Sequence, residues 1–181
     1  MKKNILIALL ILSSVNFVFS QIPQPDFNNK PYYLKSDSTL NDLETVDAAM
    51  DYKFIGMGYG GVEYYFTAFN ETSTKSFTTS EIPTFVIKVD DGIDPSDFLT
   101  LIKAKVKKKK RLFVQGNMSA TGKARDVSEN VVSLEYKKIS DNYYKIILGK
   151  DLIAGEYAFI RVLNTENQAG VKVKIYCFTV K

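Results

Sequence analysis

Seven basic side chains lie within nine consecutive positions of this chain. They are Lys103, Lys105, Lys107, Lys108, Lys109, Lys110 and Arg111. Clustered cations attract polyanions such as acidic polysaccharides, lipopolysaccharide phosphates and nucleic acids, with an affinity that falls as salt rises. The sequence therefore predicts a local anion-binding surface. The same lysines could instead protect an exposed sheet edge against aggregation, and that alternative stays open here.

The surroundings of this basic segment bear on the kind of anion. Surfaces that bind single-stranded nucleic acid interleave aromatic side chains with the cations, and only Phe113 lies close to this segment. Loss of a leader that contains Lys2 and Lys3 would leave 22 basic and 20 acidic residues, a net charge of about +2. The positive charge is thus local. We expect an anionic glycan or envelope surface as partner rather than nucleic acid.

A second charged segment is acidic. Asp90, Asp91, Asp94 and Asp97 lie in one short loop, and clustered carboxylates are ligands that Ca²⁺ prefers. Their spacing does not match the calcium-loop pattern, which requires alternate ligand positions and a terminal Glu. The sequence favours an exposed loop in which Asp94 or Asp97 caps a turn before Phe98, and it leaves the four aspartates as weak metal candidates.

The residues that are missing restrict catalysis. The chain has no histidine and one cysteine, which excludes Ser-His-Asp triads, Cys-His pairs and imidazole or thiolate metal cages. A glycosidase with two carboxylates remains open, with Glu135 and Glu156 as one candidate pair. We expect no enzyme activity and no cofactor, and we expect Cys177 to be a buried apolar side chain.

The glycine-rich run from Gly56 to Gly61 invites comparison with phosphate-binding loops. Such a loop must open a helix, whereas Val62 to Phe69 is aromatic and β-branched. The run is therefore interpreted as a connection between two strands.

The ends of the chain indicate export. Residues 1–20 carry two lysines, an apolar run and small residues before Gln21, as secretory signal peptides do. Residues 21–30 are predicted to be a loosely held, extended lead-in, and residues 31–181 one domain. No other stretch is apolar enough for a spanning helix. The predicted location is the periplasm or the exterior of the cell.

The elements that must position these residues are strands. Short alternating segments recur between turn signals, which predicts roughly eight to ten strands and an all-β antiparallel sandwich, loosely immunoglobulin-like. Thr84 to Val89 is apolar on both faces and is expected to be central. Leu40 to Met50 fits either helix or strand, with strands favoured, and residues 116–130 are predicted to be the longest loop. The Tyr157 hydroxyl is expected to reach backbone near the corner at Gly155.

Several of these segments resemble a group of secreted, uncharacterised Gram-negative bacterial proteins. The resemblance spans roughly Tyr33 to Val162 and is carried by the following: Pro83-x-Phe85, Gly92-x-Asp94-Pro95, the lysine-rich hairpin ending in Arg111, Tyr143-Tyr144-Lys145-Ile146 and Leu152-x-x-Gly155-Glu156-Tyr157-Ala158-Phe159. Ala154 stands where the group usually has Pro. The resemblance implies an exported β-sandwich and attaches no activity to it.

These observations favour a secreted, non-catalytic binding module or envelope-associated protein. A carbohydrate hydrolase with paired carboxylates and a structural subunit that pairs through an edge strand remain the alternatives.

Overall fold

A computed structural model describes residues 22–125, 128–161 and 172–181 of the chain, so the predicted signal peptide lies outside the described residues. Within them the backbone forms fifteen β-strands, one helical turn and two 3-10 turns. The strands are β1 (Lys30–Leu34), β2 (Leu40–Asp42), β3 (Glu44–Ile55), β4 (Gly61–Phe69), β5 (Ser76–Phe77), β6 (Thr84–Lys88), β7 (Leu99–Lys103), β8 (Lys105–Lys107), β9 (Lys110–Met118), β10 (Ala124–Arg125), β11 (Val131–Val132), β12 (Leu134–Ser140), β13 (Tyr143–Leu148), β14 (Gly155–Arg161) and β15 (Lys172–Val180). The helical turn is α1 (Pro95–Phe98), and the 3-10 turns are Gly56–Gly58 and Ser128–Asn130.

Two packed sheets of almost entirely antiparallel strands confirm the predicted all-β sandwich; the likeness to immunoglobulin domains stays a prediction. The smaller sheet has the order β12-β13-β6-β1-β2. Its middle strand is β6, as the apolar character of both its faces predicts. Phe85 and Ile87 face the larger sheet, while Val86 packs on the opposite face with Tyr32 and Tyr143.

The larger sheet closes on itself. Its strands β9, β4, β3, β15, β14 and β7 pair in that order. Strand β8 follows β7 after a single residue, Ala104, and pairs with β9. The amide of Ala104 donates to the carbonyl of Glu156 at 2.8 Å, so the bent β7–β8 segment bridges β14 and β9. Pairing therefore runs around a closed ring of strands, which removes most of the exposed sheet edges.

This ring has an apolar interior and an apolar outer face. The interior cluster comprises Ala48, Phe66, Ala68, Ile102, Phe113, Ala158, Ile160, Ile175 and Cys177. The outer face packs on the smaller sheet through aromatic rings, with Phe85 lying 5.1 Å from both Phe159 and Phe178 between ring centroids. Strand β14 is consequently buried on both faces, because Tyr157 and Phe159 face outward and alternate with inward residues.

The lead-in is fixed to the domain, which corrects the expectation of a loosely held segment. The Tyr143 hydroxyl donates to the Pro23 carbonyl at 2.6 Å, and Asn28 donates to the Asp90 carboxylate at 2.8 Å. Ile22 packs against the cluster around Val86. The far face of the smaller sheet needs such a cover, because its apolar side chains would otherwise meet water.

Three further expectations can be compared with the fold. Residues 40–50 form strands, as favoured. The predicted loop at 116–130 is wrong in part, because β9 continues to Met118 and β10 pairs with it, while Ser128–Asn130 form a 3-10 turn. Phe98, before which a capped turn was predicted, is the last residue of the helical turn α1. No helix in the described ranges combines the length and apolar character required to cross a bilayer.

Candidate anion-binding site

The basic segment forms a tight hairpin between β8 and β9, in agreement with the lysine-rich hairpin expected from the sequence. Lys107 pairs with Lys110, and Lys108 and Lys109 are the two turn residues. Their φ angles are 49° and 60°, so both occupy the left-handed region. Two positive φ values define the type I′ turn that matches strand twist, a turn that normally contains Asn-Gly because other side chains are strained there.

Strand alternation places four lysines on one face. Successive side chains of a strand point to opposite faces, and directly paired residues of neighbouring strands share a face. Lys103, Lys105 and Lys107 therefore point outward from the ring together with Lys110, at a spacing of about 7 Å along β7–β8. Lys105 confirms this direction, since its ammonium reaches Glu63 on the outer face. We call Lys103, Lys105, Lys107 and Lys110 the lysine stripe.

The charge of the stripe is unevenly compensated. The Lys105 ammonium lies 3.8 Å from Glu63 and 3.9 Å from Glu129, so two carboxylates partly neutralise it. Among the described residues no carboxylate lies within 4.0 Å of Lys107, Lys108, Lys109 or Lys110. These four lysines are exposed. The hairpin tip is therefore the part of the segment whose charge is available to a partner.

Arg111 was predicted to belong to the anion-binding set, and the structure places it elsewhere. Its side chain is fully buried, with no exposed surface. It alternates with Lys110 and so points into the ring, on the same face as Phe113. Its guanidinium donates to Glu44 at 2.9 and 3.3 Å and to the Phe69 carbonyl at 3.2 Å. Arg111 is a structural cation and cannot reach a surface ligand.

A buried ionic cluster forms around Arg111 at one end of the ring. Glu156 lies 3.6 Å from the guanidinium and accepts hydrogen bonds from the Thr179 hydroxyl at 2.7 Å and the Ser73 amide at 2.9 Å. Burial acts to lower the pKa of Arg111, but the hydrogen bond to Glu44 and the nearby carboxylates outweigh it and raise that pKa. Glu44, Arg111 and Glu156 form a buried plug in which each carboxylate has a partner.

This cluster also bears on the hydrolase alternative. Glu135 lies exposed on β12 of the smaller sheet, whereas Glu156 is buried in the ring. The two carboxylates of this candidate pair therefore belong to different sheets, and the structure does not bring them together. Glu44 and Glu156 do approach each other, but Arg111 lies between them. Two carboxylates on either side of a buried guanidinium lack the opening for a sugar that a glycosidase needs.

An aromatic side chain does accompany the lysines, and it comes from β4, which is distant from them in sequence. Phe113, the nearby candidate, is buried inside the ring. Phe69 ends β4 directly opposite Lys110, and the Lys110 ammonium lies 5.2 Å from its ring centroid. The ring is 67% exposed. The tip therefore presents cations beside an apolar ring.

The four aspartates of the acidic loop do not converge as a ligand set, since the described part of the chain contains no group of three or more acidic, histidine or cysteine side chains arranged to hold an ion. Asp94 caps α1 by accepting from the Ser96 amide at 2.8 Å, as predicted. Asp90 binds Asn28 and Asn29, and Asp91 accepts from Asn142. These hydrogen bonds explain three of the four aspartates, and Asp97 lies in α1.

Two predictions about single side chains are confirmed. The Tyr157 hydroxyl donates to the Ile153 carbonyl at 2.8 Å, which fixes the corner before β14. Cys177 is buried, and burial raises the pKa of its thiol to about 12. A thiol held in its neutral form is a poor nucleophile, so Cys177 is a packing residue.

Comparison of the chain with protein-family models, with curated proteins and with solved structures finds no match. The resemblance to secreted Gram-negative proteins stays a prediction.

Proposed function

We propose that the protein is a secreted, non-catalytic binding module that holds an anionic glycan at the bacterial envelope through the lysine stripe and the turn lysines. The proposal rests on charge that no carboxylate neutralises within the described part of the chain. Lys107 to Lys110 gather four ammonium groups at one projecting tip, and their mutual repulsion is relieved when a polyanion binds.

The conformation of the turn is the observation that carries this proposal. Two lysines in the left-handed region cost about 1–2 kcal/mol each relative to a relaxed backbone. The alternative, protection of an exposed sheet edge, does not explain the two turn lysines. Charged side chains on β8 are enough to block strand pairing, and Asn-Gly fits this turn with less strain. Strained residues persist where function requires their side chains. Lysine at both turn positions therefore supports binding.

The exposed Phe69 ring favours a glycan over a simple inorganic anion. Aromatic rings pack against the apolar faces of sugar rings, while the adjacent ammonium groups bind carboxylates or sulfates. The combination provides contact area as well as charge. The stripe then extends this contact along β7–β8.

Charge reversal at the tip tests the proposal. We expect Lys107→Glu combined with Lys110→Glu to weaken binding to polygalacturonate by roughly tenfold or more at low salt, measured by calorimetry on the folded protein. Dextran, a neutral polymer, should not bind to either protein. Unchanged affinity for polygalacturonate, or no binding by the native protein, would reject the proposal.

A matched control is available in the smaller sheet. Lys137 and Lys145 are also directly paired across two antiparallel strands, with Lys137 exposed and Lys145 partly exposed. Reversal of both changes the net charge equally, and we expect it to leave affinity within about twofold. An equal loss of binding in this control would show that only net charge matters and would remove the hairpin from the account.

A further inference from the structure

A cavity of about 380 Å³ opens at the inner end of the lysine stripe. Lys103, the first residue of the stripe, lines it together with Asn130 and Glu129 of the 3-10 turn and with residues of the loop between β13 and β14. Volumes of about 300–1,000 Å³ are typical of sites for small ligands. The cavity is thus continuous with the proposed polymer-binding surface.

One wall of the cavity is fixed by the corner at Gly155. An added Cβ at this glycine would lie 2.6 Å from Cε of Lys103, so glycine allows the lysine stem to cross the backbone there. Tyr157 lies beneath and holds the Ile153 carbonyl by its hydroxyl. Ile153 and Val132 supply apolar surface to the cavity.

The opposite wall is polar. Glu129 accepts a hydrogen bond from the Asn130 amide at 3.2 Å, and its carboxylate also lies 3.9 Å from the Lys105 ammonium. These contacts place the exposed Glu129 carboxylate beside Asn130 and Lys105. Lys150 and Asp151 complete the lining. Two cations, two carboxylates and an amide therefore surround an apolar patch.

We propose that this cavity binds one acidic sugar residue, a uronic acid at or near the end of the glycan chain. Lys103 and Lys150 bind the sugar carboxylate, Glu129 and Asp151 accept hydrogen bonds from the hydroxyls, and Ile153 packs against the ring. This inference rests on the proposed function and specifies its ligand.

The two carboxylates distinguish this ligand from phosphate. At neutral pH a phosphate group carries more negative charge and fewer hydroxyl donors than a uronic acid, so Glu129 and Asp151 repel it more strongly. A uronic acid presents hydroxyl donors beside one carboxylate. Mixed charge in the lining therefore fits a sugar acid better than a phosphorylated lipid or a nucleic acid.

The test uses trigalacturonate, inorganic phosphate and polygalacturonate with the full mature chain. Ile153 is 65% exposed, so Ile153→Glu places a charge that repels the sugar carboxylate in the cavity with little disturbance of the core. We expect this variant to weaken trigalacturonate binding at least tenfold and polygalacturonate binding less than threefold. Inorganic phosphate should not bind at the cavity, as judged by amide shifts of Asn130 and Asp151 in NMR spectra.

A second variant protects the test against misfolding. Lys150→Gln removes an exposed cation that the proposal assigns to the sugar carboxylate, so it should weaken trigalacturonate binding. Unchanged thermal unfolding of both variants provides the folded reference. Equal trigalacturonate affinity in both variants and in the native protein would overturn the cavity proposal, as would phosphate-induced amide shifts at Asn130. If polygalacturonate also fails to bind the native protein, the proposed function itself is wrong. If polygalacturonate binds and its affinity depends on Lys107 and Lys110, only the cavity inference is wrong.

Discussion

Replacement of the turn lysines by Lys108→Asn and Lys109→Gly should make the protein more stable and a weaker binder. Both positions have positive φ, which costs about 1–2 kcal/mol for each lysine and is relieved by Asn and Gly. The flexible glycine stabilises the unfolded chain by up to about 1 kcal/mol, which offsets part of the gain. The net gain is about 1–3 kcal/mol.

For a domain of this size a gain of 2 kcal/mol raises Tm by roughly 4–8 °C. Calorimetric unfolding measures that shift, and binding to polygalacturonate measures the second effect. Removal of two of the uncompensated charges at the tip should weaken binding severalfold at low salt. Stability and affinity thus change in opposite directions.

A control separates backbone strain from charge. Lys108→Gln with Lys109→Gln removes the same charges but keeps two ordinary side chains at positive φ, so we expect weaker binding without the rise in Tm. The reasoning is refuted if the Asn-Gly variant is no more stable than the native protein, or if it binds polygalacturonate as tightly.

Three further predictions concern the rest of the structure. Arg111→Ala leaves Glu44 without its buried partner and should cost about 3–5 kcal/mol in urea unfolding; a loss below about 1 kcal/mol would contradict the plug. Cys177 should not react with a thiol reagent at pH 8 until the protein is unfolded, because its pKa is raised to about 12; rapid labelling of the native protein would show the burial to be wrong. A hydrogen bond from Asn28, and secondly one from Asn29, lowers the pKa of Asp90. The Asp90 carboxylate therefore stabilises the attachment of the lead-in fully at pH values above the ordinary carboxyl pKa. This stabilisation is lost as the pH falls through the lowered pKa of Asp90. Protease cleavage near residue 24 should increase on acidification, and Asp90→Asn should remove most of that dependence.

Local sequence signals predict much of the fold because they reflect local physics. Apolar side chains on both faces identify β6 as a central strand, and Gly155 with Tyr157 identifies the corner. Contacts between distant segments are harder to predict. Arg111 and Phe113 share a face of β9, so strand alternation could have indicated that Arg111 points inward. Its partner Glu44 is 67 positions away, and no local signal connects the two residues.

The closure of the larger sheet shows the same limit. The β7–β8 segment joins β14 to β9 only because the chain bends at Ala104. Ala104 and its neighbours carry no turn signal in the sequence. Phe69 likewise joins the lysines only through the register of β4 and β9. Charge at the tip was predictable from composition, whereas the aromatic neighbour and the buried plug required long-range pairing.

The salt dependence of binding tests the central claim most directly. Affinity for polygalacturonate, measured from low to moderate salt, should fall linearly on logarithmic axes. The slope should decrease by about one for each of Lys107, Lys108, Lys109 and Lys110 that is replaced by glutamine. A slope that stays the same after all four replacements would contradict binding through this hairpin.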